Sequence, residues 1–374
     1  MTAETIRGLA RECGFELAGV AAAEPLAGRQ GACGAAALHH GPSERSNVSN
    51  REPLPERAWY REWVAAGFAG GMRYLTGHSA AARDDPKNLL ALARSIICVG
   101  RLYNTPWPYS TQLDAGERAW ISRYAWGEDY HGLVRRGLER LDAMLRERAS
   151  AKFESRICVD TAPLLERSYA RMAGLGWIGK NTCLINQARG SWFFLGELLV
   201  SLAIEPGPAD GPPPGRCGTC RRCIEACPTA AIVPAGPGFT VDSRLCISYL
   251  TIELRGAMAL ERRSGVGGHV FGCDICQDVC PWNRRAPVTA DPAFEPREFA
   301  PPLEKLAAIS QDEFRRLFSG MPVTRARYSG FLRNVAIAMG NRRLEKFRAP
   351  LEKLAGSKDP VVAEHARWGI EQLR

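Results

Sequence analysis

Apolar residues recur at helical spacing near the N-terminus, where Ile6, Leu9, Ala10 and Phe15 lead into an apolar Leu17-Ala-Gly-Val20. That pattern predicts a short amphipathic helix followed by a strand. A second helix is expected over 59–66, after which Gly70-Gly-Met-Arg-Tyr-Leu75 and Arg83-Asp-Asp-Pro86 turn the chain back. Ser95-Ile-Ile-Cys-Val-Gly100 is uncharged and β-branched, as a buried strand should be. Val134, Leu138, Leu141 and Leu145 mark the apolar face of a longer helix. Arg156-Ile-Cys-Val159 reads as a strand, with Asp160-Thr-Ala-Pro163 at its C-terminal end and a helix over 164–173 beyond. Strand segments over 182–185 and 191–202 form a further pair and complete an α/β domain. Open α/β sheets bind ligands outside the carboxyl ends of their strands, which draws attention to Asp160.

Two stretches break this periodicity. Residues 28–56 are rich in Gly, Ala, Ser and Pro and read as a flexible surface loop, and 206–215 read as a Pro/Gly linker. Beyond Asn283 short helices follow one another: 332–339 ending at Gly340, 344–354 ending at Gly356, then 361–373 with Asp359 as cap and Pro360 in the first turn. The spacing suggests a helical hairpin array of about one repeat and a half.

Composition narrows the class. With 374 residues and 45% hydrophobic content, the chain has room for two or three globular domains. No apolar run approaches the roughly 20 residues that span a bilayer. Met-Thr-Ala-Glu-Thr-Ile-Arg has neither the order of a secretion signal nor a twin-arginine leader, so a cytoplasmic, membrane-free protein is expected. The net charge of +9 is uneven: from Arg325 onward eleven Lys/Arg face five Asp/Glu. Such a face attracts polyanions, nucleic acid first, although a merely solvated basic surface has the same composition.

The cysteines carry the strongest chemical signal. Cys217-Gly-Thr-Cys220-Arg-Arg-Cys223-Ile-Glu-Ala-Cys227-Pro228 has the spacing by which bacterial ferredoxins hold cubane clusters. Cys246 and then Cys273-Asp-Ile-Cys276-Gln-Asp-Val-Cys280-Pro281 form a second run, its first cysteine displaced far upstream by an inserted loop. In two-cluster ferredoxins the cysteine before the proline serves the other cluster. Cys217, Cys220 and Cys223 are thus expected to be completed by Cys280, and Cys227 to join Cys246, Cys273 and Cys276, for two [4Fe-4S] clusters. Paired Cys-x-x-Cys also binds zinc, but zinc needs neither a third cysteine in step nor a terminal Cys-Pro. Cys13, Cys33, Cys98, Cys158 and Cys183 are scattered and read as buried or free thiols.

Other motifs weigh less. Gly174-Leu-Gly-Trp-Ile-Gly179-Lys180-Asn181 approaches a phosphate loop, but Asn181 replaces the magnesium-binding hydroxyl and a helix leads into it. Its glycines are expected to let backbone approach a bound group. Asp160 can serve as a helix cap or as a buried general acid with a raised pKa. Asp129-Tyr130-His131 contains part of a corrinoid lower-ligand motif, but Val134 stands where that motif needs glycine. His39, His40, His78, His269 and His365 have no ligand-like spacing.

Taken together, Arg83-Asp-Asp-Pro, Ser122-Arg-Tyr-Ala, Asp129-Tyr-His131, Val159-Asp160-Thr-Ala-Pro163, Glu166-Arg167, Ala173 to Asn181, Ser191-Trp-Phe-Phe-Leu-Gly-Glu197, both cysteine runs and Arg333-Asn334 resemble the epoxyqueuosine reductase family over nearly the whole chain. The resemblance implies reduction of epoxyqueuosine to queuosine in the anticodon loop of tRNA, with cobalamin and two cubane clusters. It implies three parts: 1–205, an α/β cobalamin-binding catalytic domain like that of reductive dehalogenases; 206–290, a ferredoxin-type module; and 291–374, a C-terminal α-helical HEAT-like module that grips tRNA. By position, Asp160 matches the family's proton donor and Arg83 a residue near cobalamin, while Tyr130 and His131 match the pocket and Thr251 is a further cofactor candidate. Electrons are expected from an external donor, and the chain to act as a monomer. A corrinoid reductive dehalogenase and a non-catalytic iron–sulfur electron-transfer or nucleic-acid-binding protein are the alternatives. The first usually carries a twin-arginine leader and has no use for a basic tail; the second would have clusters without cobalamin.

Overall fold

The computed structural model describes residues 1–26, 56–113, 116–236 and 238–373. Nearly all of the loop expected over 28–56, with Cys33, His39 and His40, lies outside them. The first helix is Ala3–Glu12, capped by the Thr2 hydroxyl, and its buried Ile6, Leu9 and Ala10 form the expected face. The long helix Tyr130–Arg148 buries Val134, Leu138, Leu141 and Leu145 as expected.

Both helices pack on one face of a four-stranded sheet, ordered Leu17–Ala22, Ser95–Leu102, Phe193–Val200, Ser155–Cys158. Every adjacent pair is antiparallel. The open α/β arrangement expected from the strand–helix alternation is therefore not formed. Hydrophobic runs mark burial on both faces, which helices here provide, but do not give strand direction. The pair expected between 182–185 and 191–202 is also replaced: Leu184–Ile185 pairs with Trp177–Ile178, and Phe193–Val200 becomes a central strand. On the second face the helix Glu166–Met172 covers Cys98, Cys158 and Leu199.

Residues 206–215 are pinned rather than slack. The Asp210 carboxylate accepts from Arg7 at 2.5 Å and from the Val20 amide at 3.3 Å, tying the segment to the first helix and strand. The first C-terminal helix runs longer than the sequence suggests, while the one expected over 344–354 is shorter, Arg348–Ala355. Gly340 lies within the helix Arg327–Arg342 instead of ending it; a Cβ there would meet the Gly369 Cα at 2.8 Å, so this glycine lets the last helix approach. That last helix, Pro360–Gln372, begins as expected, with Asp359 accepting from the Val361 and Val362 amides.

Cores cross the three expected parts. The cluster around the C-terminal helices also contains Trp120, Ile121, Trp126, Val270 and Phe271, and Phe294 is buried among the N-terminal helices. Among the described residues no helix is long and apolar enough to cross a membrane.

Candidate active site

A cavity of about 720 Å³ lies between the sheet domain and the cysteine module. Trp59, Tyr60 and Trp63 of the helix Glu56–Ala65 line one side; this helix is held by Trp63 Nε1, which donates to the Val241 carbonyl at 2.7 Å. Phe193, Phe194, Leu195 and Ile178 line the sheet side. Arg83 is buried on the wall, its Nη1 donating to the Tyr74 and Ser79 carbonyls at 3.0 and 2.9 Å and its guanidinium 5.9 Å from the Tyr60 ring centre. Such a volume lies in the upper half of the roughly 300–1,000 Å³ usual for ligand sites. Aromatic and aliphatic walls with one buried cation fit a large, mostly apolar ring bearing polar arms.

Asp160 and Tyr130 also line this cavity. Asp160 does not cap a helix: the next one starts at Glu166, with Leu165 at its cap position and no side-chain bond there. Its backbone is left-handed, φ +54°, and the Thr161 amide donates back to the Val159 carbonyl at 2.5 Å, so the carboxyl is presented on a tight three-residue turn. Oδ2 stands 3.1 Å from His131 Nε2 and 3.7 Å from the Arg325 guanidinium. Asp129 takes the other side of the imidazole, Nδ1 to Oδ1 at 2.6 Å. The Tyr130 ring stacks on Phe194 at 4.2 Å and on His131 at 4.2 Å, fixing both orientations.

The electrostatics reverse the expectation for Asp160. Burial alone would raise its pKa, but the hydrogen bond and charge of His131, together with Arg325, outweigh burial and hold it below the usual carboxylate range. Burial likewise works against a charged His131, yet Asp129 and Asp160 raise that imidazole to about 9. At neutral pH the proton of the pair therefore rests on His131.

Cysteines complete the lining. Cys227, Cys246, Cys273 and Cys276 all line the cavity. Cys273 has Cys246 and Cys227 as charge neighbours, and Cys276 has Cys273 and Cys246. Cys217, Cys220 and Cys280 surround Cys223. Among the described residues no three Cys, His, Asp or Glu converge tightly enough to hold a single ion. Thiolates around a cube stand wider apart than the roughly 2.3 Å bonds of a zinc centre would draw them.

The glycine-rich segment serves the module rather than a phosphate. A Cβ at Gly174 would lie 2.4 Å from the Ala209 carbonyl oxygen and one at Gly176 2.3 Å from that of Ile185, so these glycines admit the chain's own backbone, not a bound group. Lys180 Nζ donates to the carbonyls of Gly218 and Cys220, at 2.7 and 2.9 Å, and Asn181 to that of Cys276 at 3.2 Å. The segment thus staples both cysteine runs to the sheet domain.

Thr251 stands apart from the cavity lining. Its hydroxyl donates to the Ile247 carbonyl at 2.7 Å and accepts from the Gly272 amide at 2.9 Å; Ile247 and Ser248 of the same helix reach the cavity instead. Cys13, Cys98 and Cys158 are buried thiols, while Cys183 lies against Cys276 at the cavity. His269 and His365 are core residues, each bonded to a backbone carbonyl. The sequence reading gave no place in the site to the aromatic wall, to Arg325, or to Glu166, whose Oε1 accepts the Asp160 amide, and its buried neighbour Glu197. Only Glu197 carries a local signal, as an acid inside the apolar run Phe193–Val200.

Two cysteine quartets, one opening on a cofactor-sized cavity that Asp160, paired with His131, also lines, define an iron–sulfur reductase. Two family models match: "4Fe-4S double cluster binding domain" over residues 216–283 and "Epoxyqueuosine reductase QueG, DUF1730" over 83–161. The epoxyqueuosine reductase of Xanthomonas campestris pv. campestris is 39% identical over 337 residues, covering 88% of this chain and 92% of its own. That of Escherichia coli (strain K12) is 40% identical over 331 residues, 87% of this chain and 84% of its own. The chain belongs to the epoxyqueuosine reductase family. A crystal structure of epoxyqueuosine reductase with an epoxyqueuosine-modified tRNA-Tyr stem loop superposes with a TM-score of 0.82 at 27% identity, covering 99% of this chain and 89% of that one. The Streptococcus thermophilus enzyme gives 0.79 at 28% identity, covering 99% and 90%.

Proposed function

We propose that this chain reduces the epoxide of epoxyqueuosine to queuosine in the anticodon loop of tRNA. The observation that carries the reading is one cavity lined both by Asp160 and by Cys227, Cys246, Cys273 and Cys276. Cys217, Cys220, Cys223 and Cys280 would hold one [4Fe-4S] cluster and the cavity quartet the second. Arg83, Tyr130, Ile247 and Ser248 would border cobalamin. The clusters and cobalamin, when bound, supply the reducing equivalents that carbon–oxygen cleavage requires.

The chain's own part is proton supply. His131 Nε2 carries the proton toward Asp160 Oδ2, and Asp160 is the group that faces the cavity. As charge develops on the departing oxygen, the proton held on His131 passes through the Asp160 carboxylate to that oxygen, leaving a neutral imidazole. Asp129 keeps the imidazole oriented for that exchange.

RNA is met at the cavity mouth. Arg255, Arg325 and Arg327 are exposed there, with Arg255 donating to the Arg325 carbonyl at 3.1 Å. Burial, then the charges of Arg327 and Arg325, push the Arg255 pKa down, as expected of like charges gathered in one place. Tyr74, 45% exposed and under the Arg325 guanidinium, offers a ring on which a base can stack. In this reading 1–205 is the catalytic domain, 206–290 the ferredoxin-type module and 291–374 a HEAT-like module; the protein works in the cytoplasm as a monomer fed by an external electron donor.

The test is turnover by anaerobically reconstituted protein on epoxyqueuosine-containing tRNA, read by mass spectrometry of the nucleosides. Asp160→Asn tolerates the left-handed turn and keeps the side-chain shape. It should lower queuosine formation at least ~100-fold, the low end for losing general acid catalysis. Undiminished formation would remove Asp160 from the chemistry.

A further inference from the structure

The middle of the central strand holds an acid for which the reaction gives no direct use. Glu197 is 0% exposed, in register with Cys98 on one flanking strand and Cys158 on the other. No N–H or hydroxyl donor reaches either of its carboxyl oxygens, and the side chain that meets them is the Glu166 carboxyl. The titratable groups that face it are Glu166, from the helix above, and Asp160, from the turn after the edge strand; the thiols of Cys98 and Cys158 flank it. Nothing cationic is among them, and a carboxylate left alone in such surroundings takes up a proton.

Glu166 is the link to the cavity. Its Oε1 accepts the Asp160 amide at 2.6 Å. Around it stand Asp160, Glu197 and Arg167, and around Asp160 stand His131, Arg325 and Tyr130. The Asp160 turn needs such an anchor, because φ +54° is a conformation that a residue other than glycine keeps only when its surroundings impose it.

We propose that Glu166 and Glu197 are positioning residues for this reaction: the two carboxyls share a proton, Glu197 donating it from within the sheet to Glu166, which in turn holds the Asp160 amide and so fixes the proton donor at the cavity. This rests on the reading of Asp160 as that donor. Burial, then the charge of Asp160, raises Glu166 to about 7, while burial and Glu166 push Glu197 far above the carboxylate range. The pair thus gains its second proton near neutrality. Once neutral, Glu166 grips the amide less strongly, so turnover should fall on the acid side of a limb near pH 7 that belongs to the pair.

The test uses full-length reconstituted protein and three variants, with turnover followed across pH and amide exchange followed at residues 157–162. Glu166→Gln keeps an acceptor without charge or titration; it should lose the acid limb, lower turnover about tenfold and speed exchange of the Asp160 amide at least tenfold, with tRNA affinity unchanged. Glu197→Gln keeps a neutral donor and should stay within about threefold of the parent, whereas Glu197→Leu should behave like Glu166→Gln. Parent-like exchange and an intact limb in Glu166→Gln, or parent-like turnover in Glu197→Leu, would overturn the assignment. Asp160→Asn run in parallel separates the two ideas: full turnover there defeats the donor reading itself, while lost turnover there beside unaffected pair variants defeats only the pair.

Discussion

Asn334→Ala should loosen the half of the cysteine module that lines the cavity. Asn334 is fully buried in the helix Arg327–Arg342. Its Nδ2 donates to the Thr251 carbonyl at 2.8 Å and the Val270 carbonyl at 2.9 Å, and its Oδ1 accepts from Arg333 at 2.9 and 3.1 Å. Arg333, also buried, donates onward to the carbonyls of Leu250, Leu254 and Gly256 at 2.7–2.9 Å. The two side chains therefore satisfy five carbonyls in the segment between Cys246 and Cys273. Burial lowers Arg333 to about 10, with the charge of Arg255 adding to it, so the guanidinium stays protonated at neutral pH. The helix it meets, Ile247–Ile252, presents its C-terminal carbonyls, the end that favours a cation.

Truncation leaves the Thr251 and Val270 carbonyls without their donor, at about 1–3 kcal/mol each, and removes the one side-chain acceptor of a buried cation. A loss of about 3–5 kcal/mol follows, which at about 1–1.5 °C per kcal/mol for 374 residues melting together lowers the melting temperature by roughly 3–8 °C. The assay is anaerobic thermal unfolding of reconstituted protein, monitored by far-UV circular dichroism and by the visible absorbance of the clusters. Cluster loss should precede the main unfolding step, because Cys246 and Cys273 flank the loosened segment. A melt within about 1 °C of the parent, with both clusters retained, would show that the Asn334 bonds carry no net stability and refute the reasoning.

Two further outcomes follow from charges at the site. If Arg255 and Arg327 each neutralise one phosphate, the double variant Arg255→Gln/Arg327→Gln should weaken binding of the tRNA stem loop and reduce the slope of log affinity against log salt by roughly 0.7 per lost contact; an unchanged slope in fluorescence anisotropy titrations would show that these arginines touch no phosphate. His131 binds its proton more tightly folded than unfolded, so its contribution to stability is fully present below about pH 6.5 and is lost as pH rises through about 9; denaturant titrations of parent and His131→Gln should differ most at pH 6 and converge above about 9, and a gap that widened with pH would contradict the sign.

The double-cluster module was legible because its two cysteine runs are written in local spacing, and the same holds for helices with a clean apolar stripe, such as Tyr130–Arg148. Pairing between strands far apart in sequence was not. Nothing in Ser95–Leu102 says that it lies between Leu17–Ala22 and Phe193–Val200, or in which direction. Asp160 could be singled out but not understood: its capping role fails and its pKa moves opposite to expectation because His131 and Arg325 reach it from 29 and 165 residues away in sequence. Gly340 looked like a helix stop, since a glycine that admits a second helix has the same letter as one that ends the first.

Why the three parts of the chain are interlocked rather than strung together follows from what the cavity demands. Its lining comes from different parts, Asp160 from the sheet domain and Cys227, Cys246, Cys273 and Cys276 from the module, and under the proposed function electron and proton delivery both fall off steeply with distance. A hinge between them would blur both. The structure instead fastens the module at several independent points: Lys180 and Asn181 from the sheet side, Arg333 and Asn334 from the C-terminal helix, and Trp63 from the aromatic wall. Arg325 adds a tie at the mouth, 2.7 Å from Glu253 of the module and 3.0 Å from the Tyr74 hydroxyl. The strand Trp120–Ile121 pairs with His269–Phe271 and is buried with the C-terminal helices, so the apolar core itself spans the seams. Mutual displacement of the walls would thus break buried hydrogen bonds and open a packed core together, and the separation of Asp160 and the cysteines is set by the fold as a whole.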